Sequence, residues 1–318
     1  MKAILYYYSG TGNTELVAKL YKKYFENYDV DLYRIHKLEG DETFPDPNNY
    51  DLIGIGFPIY GFNSPEPAYK FAKLLPAIEG ENLANRKKKA FVFRTSGEGL
   101  GVNNFAAQKI ISVMSKKGYD FQTDWHIVMP YNMVFRHSPE MVKSEYIYAD
   151  AIVRLNVKFL EEGIKEKVKR CPLPYFFVPI VRIVWPYAKF QGKFIMHARK
   201  NKCVGCGLCE KLCPMHNVKM TDGIPKFGGN CCLCVACVFS CPKEAISIGV
   251  LNGMAQHGSY HIERTASDPA LEFPAFGENL RGLKRWAYYR YYRAWDKKLK
   301  QNGISLVVPT LVQPTGKA

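Results

Sequence analysis

Residues 203–214 read CVGCGLCEKLCP and residues 231–242 read CCLCVACVFSCP. The two align at a constant offset of 28, Cys203 with Cys231, Cys206 with Cys234, Cys209 with Cys237 and Cys213 with Cys241. Each obeys C-x2-C-x2-C-x3-C-P. A trio of thiols this closely spaced can wrap three corners of an iron–sulfur cube, with small and apolar residues between them leaving room for sulfides. The fourth thiol is carried away by the following turn and reaches the other cube. A zinc site would favour two CxxC pairs and would not need four cysteines per half. Only Cys231 of the doublet Cys231-Cys232 keeps the spacing, so Cys232, like Cys171, reads as a packed thiol.

The rest of the chain needs a different fold. At 318 residues it has material for about two domains. With 47% hydrophobic residues it can bury a core. The opening MKAILYYY runs straight into an apolar strand and lacks the basic, apolar and small-residue segments of an export signal. Ten cysteines in that context lead us to expect metal ligation in a reducing cytoplasm. No stretch of about twenty uncharged apolar residues occurs, so no transmembrane segment is expected.

Five apolar runs, at Ile4–Tyr8, Asp29–Ile35, Asp51–Phe57, Ala90–Thr95 and Trp125–Met129, alternate with helical patterns near 65–78, 103–117 and 139–169. Such alternation predicts an α/β fold with a doubly wound, five-stranded parallel sheet. Ligands in these folds sit beyond the carboxyl ends of the strands. Three loops fall there. Ser9-Gly10-Thr11-Gly12-Asn13-Thr14 offers hydroxyls, backbone N–H groups and a helix N-terminus, which suit a phosphate or, more plainly, an ordinary helix cap. Without a lysine or GxxxxGK[ST] it suits a nucleoside triphosphate poorly. Pro58, Ile59, Tyr60, Gly61 and Phe62 place aromatics beside glycine, either to face a flat ring or to pack the loop. Thr95, Ser96, Gly97, Glu98 and Gly99 form the third loop, whose GEGLG run is not a dinucleotide fingerprint.

Leu5, Tyr6, Tyr7, Ser9, Gly12, Thr14 and Ala18 match the first-loop signature of the flavodoxins, with Tyr21 at a position that is aliphatic in the pattern. The resemblance covers about residues 1–165 and implies FMN. It implies that Ser9, Thr11, Gly12, Asn13 and Thr14 hold the phosphate, and that Tyr60 or Phe62 flanks the isoalloxazine. Ser96, Gly97 and Gly99 would meet the pyrimidine edge, and Gly61 could turn its carbonyl toward N5. Residues 196–250 resemble bacterial ferredoxins with two [4Fe–4S] clusters. That pattern groups Cys203, Cys206, Cys209 and Cys241 around one cluster, and Cys231, Cys234, Cys237 and Cys213 around the other. Together the two parts look like the flavodoxin–ferredoxin fusion proteins of anaerobes. The resemblance implies an electron-transfer flavoprotein, or alternatively a reductase that acts on a small substrate over the flavin.

The remaining segments are a Pro-rich aromatic linker at 166–195 and a basic aromatic extension at 251–318. The linker is read as packing between the domains, with contact to a membrane surface as the other reading. Within the extension, RGLKRWAYYRYYRAWDKKLK (281–300) reads as a helix that either packs its aromatics on the body or docks an acidic partner. Charge is lopsided: residues 1–165 carry 21 Lys+Arg against 20 Asp+Glu, and residues 166–318 carry 23 against 9. Two oxidised clusters at roughly −2 each would trim that second half from +14 to about +10. A field of this sign steers acidic proteins. We therefore expect an acidic ferredoxin- or flavodoxin-type partner, and no nucleic-acid motif appears. A small-molecule reductase would need convergent donors above the flavin, for which His126, Arg136 and His137 are the candidates.

Overall fold

The computed structural model describes residues 1–35, 43–78, 87–166, 190–274 and 282–309. Cys171 and most of the Pro-rich linker lie outside the described residues.

Strands β1 (Lys2–Tyr7), β2 (Asp29–Arg34), β3 (Leu52–Pro58), β4 (Lys88–Ser96) and β5 (Tyr119–Val128) form one sheet in the order β2-β1-β3-β4-β5. All of its pairings are parallel. The interior strand β1 is apolar on both sides because both faces are covered. Ala3, Leu5 and Tyr7 point into one core layer with α1 (Asn13–Tyr24) and α4 (Pro139–Glu161). Ile4, Tyr6 and Tyr8 point into the other with α2 (Glu66–Leu74) and α3 (Gln108–Ser115). This period-two partition is what a buried parallel strand requires. Gly54 and Gly56 on β3 make room for the rings of Phe91 and Phe93, into which a Cβ at either position would run.

Four elements differ from the sequence expectation in extent. The helix expected near 65–78 stops at Leu74. β5 begins at Tyr119 rather than Trp125. Its first half alternates polar residues, which edge strands tolerate, and Asp124 is buried only because Arg94 pairs with it at 2.5 Å. The helix expected near 103–117 splits into a 3-10 turn at Gly101–Phe105 and α3. The helix expected at 139–169 stops at Glu161.

The cysteine region folds as two copies of one unit. Short helices at Leu208–Leu212 and Ala236–Phe239 follow left-handed residues at the same offset of 28. The left-handed positions pair as Gly205 with Leu233, Gly207 with Val235, and His216 with Glu244. Two antiparallel pairs frame the unit, His197–Ala198 with Ile246–Ser247 and Val218–Thr221 with Ile224–Phe227. The second closes on Asp222-Gly223, both at positive φ as a two-residue hairpin turn requires. Met215, Cys232, Cys234 and Ala236 are buried in the same core as Ile4, Tyr6 and Tyr8, so the cysteine unit seats directly on the sheet layer.

The C-terminal helix (Gly282–Gln301) lies against β5 and α4. Ala287, Tyr288, Tyr292 and Leu299 are buried there, with Trp295 against Trp125 at 5.2 Å. Among the described residues no helix is long and apolar enough to cross a membrane.

Candidate functional site

A cavity of about 290 Å³ opens where β1, β3, β4 and β5 end. The three loops singled out in the sequence meet there. Ser9, Gly10, Thr11, Asn13 and Thr14 line one end, Pro58, Ile59, Tyr60, Gly61 and Phe62 another, and Thr95, Ser96, Gly97 and Glu98 the third. Gly12 and Gly99 stand behind this lining. Gly12 caps α1 at φ 101°, a left-handed conformation that suits glycine. Gly99 lies so close under Tyr291 that an added methyl would collide with that side chain.

The first loop is tied to its surroundings by short bonds. Gly12 N–H donates to Ser9 Oγ at 3.2 Å, and the hydroxyls of Thr14 and Thr95 are 2.7 Å apart. Asn13 Nδ2 donates to the Pro130 carbonyl at 2.7 Å, which pins the segment after β5 to the loop. Arg34 donates to the Ser9 carbonyl and pairs with Glu15. A helix N-terminus framed in this way can hold an anion.

In the second loop, Tyr60 and Asn63 exchange backbone hydrogen bonds across Gly61 (φ 53°) and Phe62 (φ 63°). This two-residue turn leaves Phe62 at the tip, 36% exposed. Tyr60 points the other way: its hydroxyl is buried against Gly10, and its ring sits edge-on to Tyr8 at 6.3 Å. Desolvation holds the Tyr60 phenol well above its ordinary range. The sequence offered no signal for Tyr131, whose ring packs on Gly97 closely enough to leave no space for a Cβ there. Asn103, Pro130, Asn132, Met133 and Val134 complete that side.

The third loop is braced from beneath. Ser96 Oγ donates to the Glu98 carbonyl and lies 2.7 Å from His126 Nε2. Glu98 accepts from Asn103 Nδ2 and from the Tyr131 hydroxyl, and burial raises its carboxyl pKa. The Tyr288 hydroxyl of the C-terminal helix donates to the Gly97 carbonyl. The side chains named as possible donors to a small substrate are not among the residues that line this cavity, in keeping with the structural role that lone residues of this kind usually have. His126 is turned into the core, where burial and then Arg94 push its pKa down to about 3. His137 is held by Glu145 at 2.6 Å and by Tyr288. Arg136 is spent on the carbonyls of His257, Gly258 and Ser259.

The eight motif cysteines border two further cavities. Cys203, Cys206, Cys209 and Cys241 surround one, with Cys237 beside them. Cys213, Cys231, Cys234 and Cys237 surround the other, with Cys232. All described cysteines are free thiols. Among the described residues no three metal-binding side chains converge on a single-ion site. The thiols instead ring a space. Backbone N–H groups point at the sulfurs, from Asn217 to Cys213, Ala245 to Cys241 and Leu233 to Cys231, each at 3.2–3.3 Å. Such donors lower the cost of thiolate charge and tune an iron–sulfur centre. Without a metal that cost is high: burial pushes the Cys231 thiol up to about 12. The residues present therefore fit two multi-iron clusters by donor type, number and surrounding hydrogen bonds.

The strand-end cavity and the second thiol cavity share a wall. Cys232, Leu233 and Val235 line both. Where the first repeat uses Gly205 and Gly207 at positive φ, the second holds Leu233 at 50° and Val235 at 52°. A β-branched residue there is strained by about 1–2 kcal/mol. The result is a pair of apolar residues that line both cavities. Cys232, which the spacing left as a packed thiol, is buried in this partition, 3.9 Å from the Tyr8 hydroxyl. Gly10 approaches the same segment, since its Cβ would lie 3.3 Å from Cys234.

Comparison with known proteins finds partial matches. An uncharacterised protein of Methanocaldococcus jannaschii is 37% identical over 78 residues, covering 23% of this chain and 30% of that protein. A component of the ion-translocating oxidoreductase complex of Methanosarcina acetivorans is 34% identical over 59 residues, covering 18% and 22%. The chain thus spans less than two thirds of the length of these curated relatives. Among solved structures, a flavoprotein from Lactobacillus acidophilus in complex with FMN aligns at 20% identity over 39% of this chain and 92% of its own, with TM-score 0.30. A flavodoxin from the domain Archaea aligns at 19% identity over 50% and 99%, with TM-score 0.33. Residues 5–138 match the model of the flavodoxin family, and with the sheet order β2-β1-β3-β4-β5 this makes the N-terminal part of the chain a flavodoxin-like domain.

Proposed function

We propose that the protein is an electron-transfer iron–sulfur flavoprotein. It would hold FMN in the strand-end cavity and two [4Fe–4S] clusters in the cysteine unit, exchanging electrons with ferredoxin- or flavodoxin-type carriers. The observation that carries this reading is the partition of Cys232, Leu233 and Val235, a single layer of residues between the strand-end cavity and the thiols of the second set. When bound, FMN accepts one or two electrons and each cluster passes one, so joining them in one chain replaces a diffusional encounter by a high effective concentration.

The chain's own residues divide the work. The Ser9–Thr14 loop and the N-terminus of α1 would receive the phosphate. Tyr60, Phe62 and Tyr131 supply aromatic surface for the ring system, and Ser96, Gly97 and Glu98 meet its polar edge. Leu233 and Val235 keep water out of the partition. The alternative, reduction of a small molecule above the flavin, loses its named donors because His126, Arg136 and His137 are engaged elsewhere.

Anaerobic purification followed by iron, acid-labile sulfide and flavin analysis tests the reading. About eight iron and one FMN per chain are expected. A preparation that binds flavin but no iron after reconstitution with iron and sulfide would overturn it.

A further inference from the structure

The two thiol sets differ in how they meet the solvent. Cys234 and Cys232 are buried against the sheet, whereas Cys206 is exposed. Beside Cys206, Val204 presents an apolar tip that is 59% exposed. Lys243 shares the lining of the first thiol cavity with Val204 and Cys206. The exposed Lys200 and Lys202 and the half-buried Arg199 lie within five residues of Val204 in the chain, and Lys211 is exposed on the following short helix, with Glu210 and Glu244 as the neighbouring acidic residues in sequence. Lys202 precedes Cys203 in a turn closed on Arg199. An apolar centre with a charged rim is the anatomy of a transient protein interface.

We propose that this face, centred on Val204 and Cys206, is the docking surface for a small acidic one-electron carrier, and that the first thiol set is the chain's port to solution. The proposal rests on the electron-transfer reading above and adds the partner's charge and its place of contact. Charge complementarity identifies the occupant, since a set of lysines attracts a carboxylate-rich protein and orients it before contact. The apolar tip then excludes water where the two redox centres come closest. Each encounter would oxidise the reduced carrier by one electron and reduce the chain by one.

The C-terminal helix provides a like-for-like control, because it also exposes basic residues, Arg290, Arg293 and Lys297, on a face far from any cysteine in sequence. The experiment uses the anaerobically purified full chain and, as probe, a small acidic ferredoxin reduced beforehand. In the triple variant K200E/K202E/K243E, the second-order rate of electron uptake should fall about ten- to a hundredfold at low salt. The difference from wild type should shrink as salt rises. The dissociation constant for the oxidised probe, measured by titration calorimetry, should rise by a similar factor. R290E/R293E/K297E should change neither quantity. Reduction by photoreduced deazaflavin, a small carrier-free donor, should be unaffected in both variants. Equal loss in the helix variant, or an unchanged rate and affinity in K200E/K202E/K243E with full iron content, would overturn the docking site while leaving the function standing. Wild type that binds anionic lipid vesicles but not the ferredoxin would overturn it as well. A wild-type protein without iron would instead remove the reading on which the proposal rests.

Discussion

Beneath the third loop, His126 shows how one buried side chain can set a pH limit on the whole site. Its Nε2 lies against Ser96 Oγ and its ring is edge-on to Tyr291 at 5.9 Å. Burial, with Arg94 adding to it, depresses its pKa from 6.5 to about 3. Between those values the unfolded chain binds a proton that the folded chain refuses. The contribution of neutral His126 is therefore complete above about pH 6.5 and is lost as pH falls toward 3. The slope reaches about 1.4 kcal/mol per pH unit in that window. We expect urea unfolding at pH 7 and pH 5 to show a larger loss for wild type than for His126→Gln. A variant that loses as much as wild type would show that His126 is protonated in the fold.

At the scale of elements, the C-terminal helix is a component of the flavodoxin-like domain's surface layer. Tyr291 donates its hydroxyl to the His126 carbonyl and accepts from Val128 N–H, so it bonds to the backbone of the edge strand. Tyr288 reaches the Gly97 carbonyl on the site loop. Lys298 lies 4.1 Å over the Trp125 ring and pairs with Glu166. The helix therefore closes the open edge of β5, which a parallel sheet otherwise leaves to solvent. Leu299 is 2% exposed within this contact. Leu299→Ala should cost about 2–5 kcal/mol, read as a lowered denaturation midpoint with the sheet domain melting as one unit with the helix. A change below about 1 kcal/mol would mean that the helix is only loosely seated.

Over the whole molecule, the cysteine unit and the sheet share a core, and their contact decides which thiol set neighbours the strand-end loops. Cys234 packs beside Gly10 of the first loop, while Cys206 lies on the outer surface. Cys234→Ser should therefore weaken FMN binding measurably, by about tenfold in a fluorescence titration, through displacement of the loop it supports. Cys206→Ser should leave FMN affinity within about twofold of wild type. Equal effects of the two substitutions would contradict the arrangement of the partition.

Taken by itself, the sequence determined the elements whose cause is local. The apolar run Ile4–Tyr8 before a Gly/Ser/Thr turn can only begin a parallel sheet covered on both faces. The offset of 28 between the cysteine sets makes two equal units, because identical spacing imposes identical turns, down to the left-handed pairs 205/233 and 207/235. The three strand-end loops were legible for the same reason: topology brings strand ends together whatever joins them. Tyr131 carried no signal, since its role depends on a glycine thirty-four positions earlier coming under its ring. Cys232 read as idle because a partition between two cavities is a property of packing and leaves no spacing to detect. The inward turn of His126 and His137 followed from partners, the half-buried Ser96 and the buried Glu145, that no linear pattern connects to them. The basic helix at 282–301 could equally have faced a partner or the body. Only the tertiary structure, by setting Tyr288, Tyr292 and Leu299 against β5 and α4, decided which face it buried. Burial of apolar area, which is non-directional and summed over the whole molecule, chooses among arrangements that local sequence leaves equal.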